Sequence, residues 1–349
     1  MTDGAPPSLA RRVATRVLLA CIAAAGVLAV MELVLWIWRP FPIVAPLYPG
    51  DCDVTARASP QNAIDDAIGW RFAPDAVVDD PSPDFHVTYR CNSAGFRAVQ
   101  PRPSDDDALK IVFLGDSFAF GVGVEEEQTF VERIAEARGD VRVVNLGMPG
   151  FGVDQMKCAL SAFGAREEPD LVVAVFVVDD LTRSMTAYRD HGGWSRKPTF
   201  TLERGALVPL DQVNSPGSVQ RWFGRTFYIA EAWRRAEHKL GLEYGFGPRF
   251  ELNRALFVAM NGACKALGAN LLVVHLPQRE AWKPIPAFAA ALRARGVRVL
   301  DLGETPVADA TPRYFAHDPH LTPEGHRTVA DALLRAFADG EGVLRSHKR

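Results

Sequence analysis

The hydrophobic positions of the chain form two patterns, one continuous and one alternating. Residues 17–38 are apolar almost throughout, and as a helix they would span about 33 Å, enough to cross the core of a bilayer. From residue 110 onward, short apolar runs alternate with segments of helical periodicity. This alternation predicts an α/β fold in which helices cover both faces of a parallel sheet, with functional residues at the carboxyl ends of the strands.

An insertion separates two groups of predicted elements. The predicted strands cover residues 111–114, 141–146, 171–178, 271–276 and 297–302, and the predicted helices cover residues 126–138, 154–166, 250–267, 287–295 and 323–338. The insertion, about residues 181–247, contains a predicted hairpin around Arg204-Gly205 and a helical stretch at 219–240. It is either a lid that shapes substrate choice or a subdomain that packs laterally, and the sequence leaves both open.

The flanks of the apolar run indicate how it would cross a membrane. Arg11, Arg12 and Arg16 lie at its start, and Trp36 and Trp38 lie at its end, where aromatic residues suit an interface. Because positive flanks stay inside, we expect the N-terminus in the cytoplasm and everything after residue 39 outside. The catalytic part is then extracytoplasmic, in a periplasm or at a cell surface.

Two other readings of the run are less favoured. A cleaved signal peptide is shorter and ends at a small-x-small site, which does not follow cleanly here. Leu18-Leu-Ala-Cys21 resembles a lipoprotein cleavage site, but the apolar run continues well past Cys21. Glu32 inside the run is costly unless it reaches the interface or finds a partner.

Composition limits the classes of partner and cofactor. The formal net charge of 349 residues is -3 and no long basic run occurs, which argues against a nucleic-acid partner. No Cys/His spacing resembles a zinc site, and no Gly-x-Gly-x-x-Gly follows a strand, so we expect no metal and no cofactor.

The cysteines are compatible with an oxidising compartment. Outside the apolar run the chain has four of them. Cys52 and Cys91 both precede the sheet region, where a disulfide would restrict a loop-rich segment. Cys158 and Cys264 lie in helical patterns and are equally consistent with buried thiols.

A candidate nucleophile lies where the first strand of the alternation ends. The run Lys110-Ile-Val-Phe-Leu-Gly-Asp-Ser117 passes directly from a buried-strand pattern into Gly-Asp-Ser. A serine at such a sharp exit is both accessible and held still, as nucleophilic catalysis requires. The other interpretation is that Ser117 only caps a following helix.

A candidate acid and base lie near the other end of the chain. Thr322-Pro323 reads as the start of the last helix, so Asp318 and His320 occupy the loop just before it. Serine first, then Asp and His close together, is a workable order for a Ser-His-Asp triad.

Several blocks resemble the SGNH/GDSL hydrolase family over about residues 110–338. Gly115-Asp-Ser117 resembles the nucleophile block, and Asn145-Leu-Gly-Met-Pro-Gly150 resembles the second block. The resemblance implies that the N–H groups of Ser117 and Gly150 form an oxyanion hole, with Gly147 as the nearer option. It also implies a flavodoxin-like sheet in a hydrolase domain at 110–340. The apolar run and its flanks predict what precedes this domain: a cytoplasmic segment (1–16), a transmembrane helix (17–38) and a lead-in with linker (39–109).

The chain departs from the family pattern at two places. The third block usually ends Asn-Asp, whereas here Asp179 occupies the Asn position of the oxyanion hole, and an ionised carboxylate cannot donate. Asp318 and His320 are separated only by Pro319, a shorter spacing that resembles membrane-anchored members. His317 is the alternative base.

The lead-in carries a further resemblance. Residues 92–97, Asn-Ser-Ala-Gly-Phe-Arg, resemble a stretch before the catalytic block of membrane-anchored relatives. Arg97 there is either a packing residue or a substrate contact.

The expected function is that of a membrane-anchored serine esterase. Its substrate would be an acylated envelope carbohydrate or lipid, whose ester is cleaved by Ser117, His320 and Asp318. Transfer of the acyl group to a sugar uses the same triad, so an acyltransferase is the nearest alternative. A catalytically weakened binding or assembly protein is the alternative from another class, and Asp179 favours it.

Overall fold

The structure is a computed structural model that describes most of the chain. The described residues are 9–38, 62–100, 108–185, 188–190, 194–209, 227–229, 232, 248–278, 285–303 and 313–338. The chain divides into two compact units: Met1–Tyr48 with Asn214–Glu243, and Pro49–Val213 with Tyr244–Arg349. The helical stretch predicted at 219–240 falls almost entirely outside the described residues.

The second unit is built on a five-stranded parallel sheet. Its strands are β5 (Leu109–Leu114), β6 (Val141–Asn145), β7 (Leu171–Phe176), β12 (Asn270–His275) and β13 (Arg298–Asp301). Numbered by sequence within this sheet, their spatial order is 2-1-3-4-5, which is the flavodoxin-like order. The five predicted strands and the fold class are therefore confirmed, with strand ends shifted by up to two residues.

Helices cover both faces of this sheet. They are α2 (Ser117–Phe120), α3 (Phe130–Ala137), α4 (Val153–Ala162), α5 (Val178–Arg183), α6 (Pro248–Ala266), α7 (Ile285–Arg293) and α8 (Pro323–Ala338). The predicted helix at 126–138 begins as a 3-10 turn, Glu126–Gln128. Thr129 then serves as the N-cap of α3, which starts at Phe130.

The two faces of the sheet form separate apolar cores because side chains alternate along each strand. On β5, Ile111 and Phe113 point into the core that also contains Leu333 of α8, whereas Val112 and Leu114 point into the core that contains Phe257 of α6. All four of these strand residues are fully buried. Burial on both faces explains why the strands read as continuous apolar runs.

The lead-in forms two small antiparallel hairpins in the same unit. β1 (Asn62–Asp65) pairs with β2 (Gly69–Phe72), and β3 (Val77–Pro81) pairs with β4 (His86–Arg90). Phe72 stacks on Phe120 of α2, with ring centroids 5.2 Å apart. The lead-in is therefore part of the packing around the candidate nucleophile and is more than a loop-rich segment before the sheet.

The insertion contributes two further hairpins. β8 (Tyr188–Asp190) pairs with β9 (Trp194–Arg196), and β10 (Phe200–Glu203) pairs with β11 (Ala206–Pro209). Arg204 and Gly205 have φ values of 50° and 83°, as a two-residue turn with both residues left-handed requires. The hairpin predicted around this pair is confirmed.

In the first unit, α1 runs from Leu9 to Trp38. Its segment Val13–Trp38 has a mean hydropathy of 2.6 and is long and apolar enough to cross a membrane. A signal sequence near an N-terminus can also be long and apolar enough to meet these two criteria.

Candidate active site

The candidate nucleophile lies on a turn that its neighbours make tight. Asp116 caps α2, since its Oδ1 accepts the N–H of Phe118 at 3.0 Å. Ser117 is thus the first residue of the helix and not its cap, and its N–H is among those a helix leaves unpaired. A Cβ on Gly115 would lie 2.5 Å from the Ala119 Cβ and 2.9 Å from the Val175 carbonyl oxygen, so only glycine fits there.

Ser117, His320 and Asp318 lie in a hydrogen-bonded line. The Oγ of Ser117 is 2.7 Å from Nε2 of His320, and Nδ1 of His320 is 2.6 Å from Oδ1 of Asp318. The same Asp318 oxygen also accepts the His320 backbone N–H at 2.9 Å. A proton on Nδ1 is donated to the carboxylate, which leaves the Nε2 lone pair directed at the hydroxyl. This is the geometry of a serine activated by an adjacent base.

The loop that carries the two downstream residues is closed by short-range contacts. Tyr314 and Leu321 form an isolated antiparallel bridge, and the Phe315 N–H donates to the His320 carbonyl at 3.1 Å. The His320 ring lies against Phe118, with centroids 4.9 Å apart. The imidazole therefore has its hydrogen-bonding partners on both nitrogens and an aromatic ring against its face.

His317 is directed elsewhere. Its Nδ1 lies 2.9 Å from Oδ1 of Asp84, and its side chain is 78% exposed. Of the two histidines considered as the base, His320 is the one in contact with Ser117. His191 and His238 of the insertion lie outside the described residues.

The second block discriminates between the two candidate oxyanion glycines. The Gly147 N–H donates to Oδ1 of Asn145 at 2.9 Å, so it is already engaged. Gly150 has φ of 83°, the left-handed region that suits glycine, and no acceptor in the described residues takes its N–H. Trp70 donates to the Pro149 carbonyl at 3.0 Å, which fixes the loop just before Gly150. This geometry favours Gly150 over Gly147.

Gly147 has a packing role instead. A Cβ there would lie 2.6 Å from the Phe120 backbone nitrogen and 2.8 Å from the Ala119 carbonyl carbon. Asn145 reinforces the same contact, because its Nδ2 donates to the Ala119 carbonyl at 2.8 Å. The second block is therefore packed directly on α2.

The third block places its two carboxylates in different environments. Asp179 is exposed, and its Oδ2 accepts a hydrogen bond from Nε2 of Gln278 at 3.2 Å. Asp180 is fully buried, and its Oδ2 accepts the Val177 N–H at 3.0 Å. Burial, together with the nearby Asp116 charge, raises the pKa of Asp180 well above its usual value.

A single cation bridges the first and third blocks. Nη1 of Arg183 lies 2.8 Å from Oδ2 of Asp116 and 2.6 Å from Oδ1 of Asp180, and it also reaches the Phe151 carbonyl at 3.3 Å. Although burial opposes it, the charges of Asp180 and Asp116 raise the pKa of Arg183. Neither Arg183 nor Gln278 belongs to a recognisable motif. The one sequence signal for Arg183 is that it lies one helical turn after the third block.

Two other histidines near the sheet, His326 and His275, make packing and hydrogen-bonding contacts away from Ser117. Nδ1 of His326 accepts the Phe130 N–H at 3.2 Å, and burial followed by the charge of Arg97 lowers the pKa of His326 to about 3. His275 pairs with Asp301 at 2.7 Å within the sheet edge. His326 stays neutral at ordinary pH and supports the packing between α3 and α8.

Arg97 is a packing residue. Its side chain is 1% exposed, its Nη2 donates to the Val124 carbonyl at 2.9 Å, and its guanidinium lies over the Tyr89 ring at 4.7 Å. A substrate contact by Arg97, one of the two interpretations of the sequence, is not compatible with this burial.

Part of the insertion packs beside the site. Lys197 and Asp154 form an ion pair with both side chains fully buried, and Nζ of Lys157 lies 4.7 Å from the centre of the buried Phe200 ring. These contacts fix β10 against α4, so the hairpin is a lateral packing element. The lid alternative is not tested, because residues 210–226 and 233–247 of the insertion lie outside the described residues.

Within the described residues, neither a disulfide nor a candidate metal site occurs. Cys91 is a free, buried thiol, and burial raises its pKa to about 11. The predicted partner, Cys52, lies outside the described residues, and the Cys52–Cys91 disulfide is not formed in this structure. No group of three or more His, Cys, Asp or Glu side chains that could hold a metal occurs in the described ranges.

Comparison with known proteins yields structural neighbours only. No family model and no curated protein matches the chain. The solved structures similar to it include a putative lipolytic protein of the G-D-S-L family from Desulfitobacterium hafniense (14% identity, 65% of this chain and 98% of that chain, TM-score 0.39). They also include the esterase EstA from Pseudoalteromonas sp. (12% identity, 66% of this chain and 97% of that chain, TM-score 0.40). A third is the acetyl xylan esterase AlAXEase (15% identity, 65% of this chain and 99% of that chain, TM-score 0.39).

The predicted SGNH hydrolase fold is confirmed. The strand order and the position of the blocks at the carboxyl ends of β5, β6 and β7 carry this conclusion. With TM-scores near 0.4, the neighbours add no argument about activity or substrate, which rest on the geometry of this chain's own site.

Proposed function

We propose that this protein is an SGNH-type serine ester hydrolase, anchored in a membrane by α1 and acting outside the cytoplasm on the O-acyl group of a carbohydrate or lipid. The observation that carries the proposal is the line Ser117–His320–Asp318, with distances of 2.7 Å and 2.6 Å. The position of Ser117 at the carboxyl end of β5, with a helix start behind it, supports the same chemistry.

The first half of the reaction acylates the serine. Ser117 Oγ attacks the ester carbonyl carbon while His320 Nε2 takes the hydroxyl proton. Asp318 holds the proton of Nδ1 and stabilises the imidazolium that forms. The negative charge that develops on the carbonyl oxygen is met by the N–H groups of Ser117 and Gly150.

The second half releases the products. His320 returns the proton to the leaving alcohol, and an acyl ester on Ser117 remains. Water then takes the place of the alcohol and attacks the acyl carbon while His320 takes its proton. The bond between Ser117 Oγ and the acyl carbon breaks, His320 returns the proton to Oγ, and the free acid leaves. An acceptor hydroxyl from a sugar in place of water would make the same site an acyltransferase, and nothing in the geometry favours that acceptor.

A weakened catalyst is the second candidate, and one observation favours it. Asp179 stands where the family pattern has a donor, and its carboxylate already accepts from Gln278. An ionised group there opposes the oxyanion. In this case the groove would serve binding, with slow turnover or none.

The test uses the full chain in detergent and a short-chain chromogenic ester. We expect Ser117→Ala to abolish hydrolysis with an unchanged melting temperature, and His320→Ala to behave alike, with little added by the double variant because the triad acts as a unit. The matched control is Ser161→Ala, an exposed serine on α4. A wild-type chain without ester hydrolysis would favour the binding protein, and activity retained in Ser117→Ala would remove the serine mechanism.

A further inference from the structure

The one acidic residue within the apolar segment of α1 has a partner far along the chain. Oε1 of Glu32 accepts the backbone N–H of Tyr228 at 2.7 Å, and Oε2 accepts that of Ile229 at 2.9 Å. Tyr228 and Ile229 lie 196 and 197 positions after Glu32 in the chain, and both sides of the contact belong to the first compact unit.

Burial along α1 marks the same face. Every side chain of α1 that the structure describes is exposed except those of Glu32 and Leu35, which are partly covered. Positions three apart lie on one face of a helix. Tyr228 is 9% exposed. The described stretch around Tyr228 therefore lies on the same face of α1 as the two partly covered side chains.

The position of Glu32 suits the outer boundary of a bilayer. It precedes Trp38 by six residues, which places it about 9 Å from that end of the helix. A carboxylate near the hydrocarbon region is costly without partners, and two charge-assisted hydrogen bonds from backbone N–H groups supply them. A signal peptide removed after export would not need partners supplied by a segment almost two hundred residues downstream.

We infer that α1 is a retained anchor and that Glu32 docks the insertion onto it at the outer membrane boundary. The two compact units are then joined by the chain at three places, between residues 48 and 49, 213 and 214, and 243 and 244. The anchor and part of the insertion form one element, which a cleaved leader or a simple tether would not provide.

Hydrogen exchange on the full chain in lipid nanodiscs tests this inference. In the wild type we expect the amides of Tyr228 and Ile229 to be protected. Glu32→Ala should speed their exchange by about tenfold or more, because each amide loses a hydrogen bond to a charged group. Glu32→Gln, which keeps one acceptor oxygen, should fall between, and Leu33→Ala on the exposed face is the matched control.

Two results would overturn the inference. One is wild-type exchange at these two amides as fast as in an unstructured peptide. The other is a purified membrane form whose N-terminal sequence begins after residue 38. The wild-type measurement decides the docking by itself if Glu32→Ala fails to accumulate.

A second, independent observation concerns the loop that carries Asp318 and His320. Asp84 lies in the turn between β3 and β4, and its Oδ2 accepts the N–H groups of His317 at 2.7 Å and of Asp318 at 2.8 Å. Its Oδ1 is 2.9 Å from Nδ1 of His317. The hydrogen bond from His317 is the main cause that lowers the pKa of Asp84, so this carboxylate stays ionised at neutral pH.

Aromatic packing fixes the same two segments side by side. The rings of Phe85 and Phe315 lie with centroids 5.1 Å apart. A Cβ on Gly123 would come within 2.5 Å of Phe315 and 3.1 Å of Phe85, so both rings close over that glycine. The lead-in thus holds the loop in two ways: Asp84 accepts hydrogen bonds from it, and the next residue, Phe85, packs against it.

We propose that Asp84 is a positioning residue for the triad. By holding the backbone at residues 317 and 318, it sets the place of Asp318 and, through it, the orientation of His320 toward Ser117. This proposal rests on the proposed hydrolase function. Misplacing a catalytic group by about 1 Å can cost about a hundredfold in rate, so the effect should be seen in turnover.

The test separates this role from the function itself. We expect Asp84→Ala to lower kcat about 10- to 100-fold with KM changed less than threefold, and to slow phosphonate labelling of Ser117 in parallel. Asp84→Asn, whose amide oxygen can take the place of Oδ2 and accept both backbone N–H groups while its NH₂ faces Nδ1 of His317, should keep most of the wild-type kcat. Asp79→Ala, in the same hairpin and paired with the exposed His86, is the matched control.

The outcomes are distinguishable. If Ser117→Ala is inactive while Asp84→Ala and Asp84→Asn both keep kcat within twofold of the wild type, the positioning role is wrong and the hydrolase stands. If Ser117→Ala retains full hydrolysis, the proposed function fails first. A kcat loss in Asp84→Ala that merely follows a loss of folded protein, with normal labelling of the folded fraction, also contradicts the positioning role.

Discussion

The Arg183 guanidinium lies 2.8 Å from the Asp116 carboxylate, which immediately precedes Ser117. The same Nη1 lies 2.6 Å from Asp180. The side chain of Asp180 is fully buried, and that of Asp116 is 1% exposed. One cation therefore contacts two buried carboxyl groups and ties the turn of the candidate nucleophile to α5.

Removing that cation should destabilise the fold. Arg183→Met leaves Asp116 and Asp180 buried without their counter-charge, and we expect a loss of roughly 3–5 kcal/mol in the free energy of unfolding at pH 7. Burial already raises the pKa of Asp180, and loss of the Arg183 charge would raise it further, so the variant should lose less stability at pH 5 than at pH 7. Denaturant unfolding at both pH values measures this. Arg142→Met, in an exposed pair with Glu167, should cost under about 1 kcal/mol.

Asp179 is where a single substitution should improve the catalyst. If its carboxylate opposes the oxyanion, Asp179→Asn should raise kcat by about tenfold or more, given the value of one oxyanion donor. The triad is unchanged, so the gain belongs in turnover and not in KM. Asp331→Asn, an exposed carboxylate on α8, is the control. A variant with unchanged or abolished activity would mean that Asp179 is not a defective donor.

His326 should make the fold sensitive to mild acid. Its pKa is lowered to about 3 in the folded state, whereas an unfolded histidine titrates near its ordinary value of about 6.5. The unfolded chain therefore binds this proton first as pH falls, and stability should decline between about pH 6.5 and pH 3, at up to about 1.4 kcal/mol per pH unit. In His326→Gln, the slope of the free energy of unfolding against pH should decrease between pH 6.5 and 4.5 by the equivalent of one bound proton. His86→Gln, which alters an exposed histidine, should not.

The orientation of the anchor can be read with fusions. Arg11, Arg12 and Arg16 precede the apolar segment, so the C-terminal side should lie outside the cytoplasm. A fluorescent protein that fails to mature after export should stay dark at the C-terminus, and an alkaline phosphatase fusion should be active. Bright fluorescence with inactive phosphatase would reverse the topology.

The sequence predicted the sheet well because its signal is local. The continuous apolar runs of β5 and β7 follow from burial on both faces, and Thr322-Pro323 marks the start of α8 at the residue where the helix begins. Ser117, Asp318 and His320 were found because each lies in a short motif beside such an element. Only their mutual distances required the fold.

The missed residues act across long separations. Asp84 contacts a backbone 233 residues away, and Arg183 reaches Asp116 across 67 residues. Neither contact leaves a periodic or spaced pattern, so no local reading could identify it. The lead-in was similarly undervalued, since its short strands show nothing of the packing of Phe72 and Phe85 until the chain is folded.

The docking of Glu32 has a practical consequence for making a soluble enzyme. A truncation that starts near residue 40 deletes the Glu32 carboxylate, and it leaves the backbone N–H groups of Tyr228 and Ile229 without the acceptor that they have in the full chain. We expect such a protein to aggregate or to be trimmed by proteases around residue 228. Replacing residues 214–243 with a short Gly/Ser connection in the same truncation would remove both sides of the contact together, and would give a catalytic unit that no longer carries half of an interface.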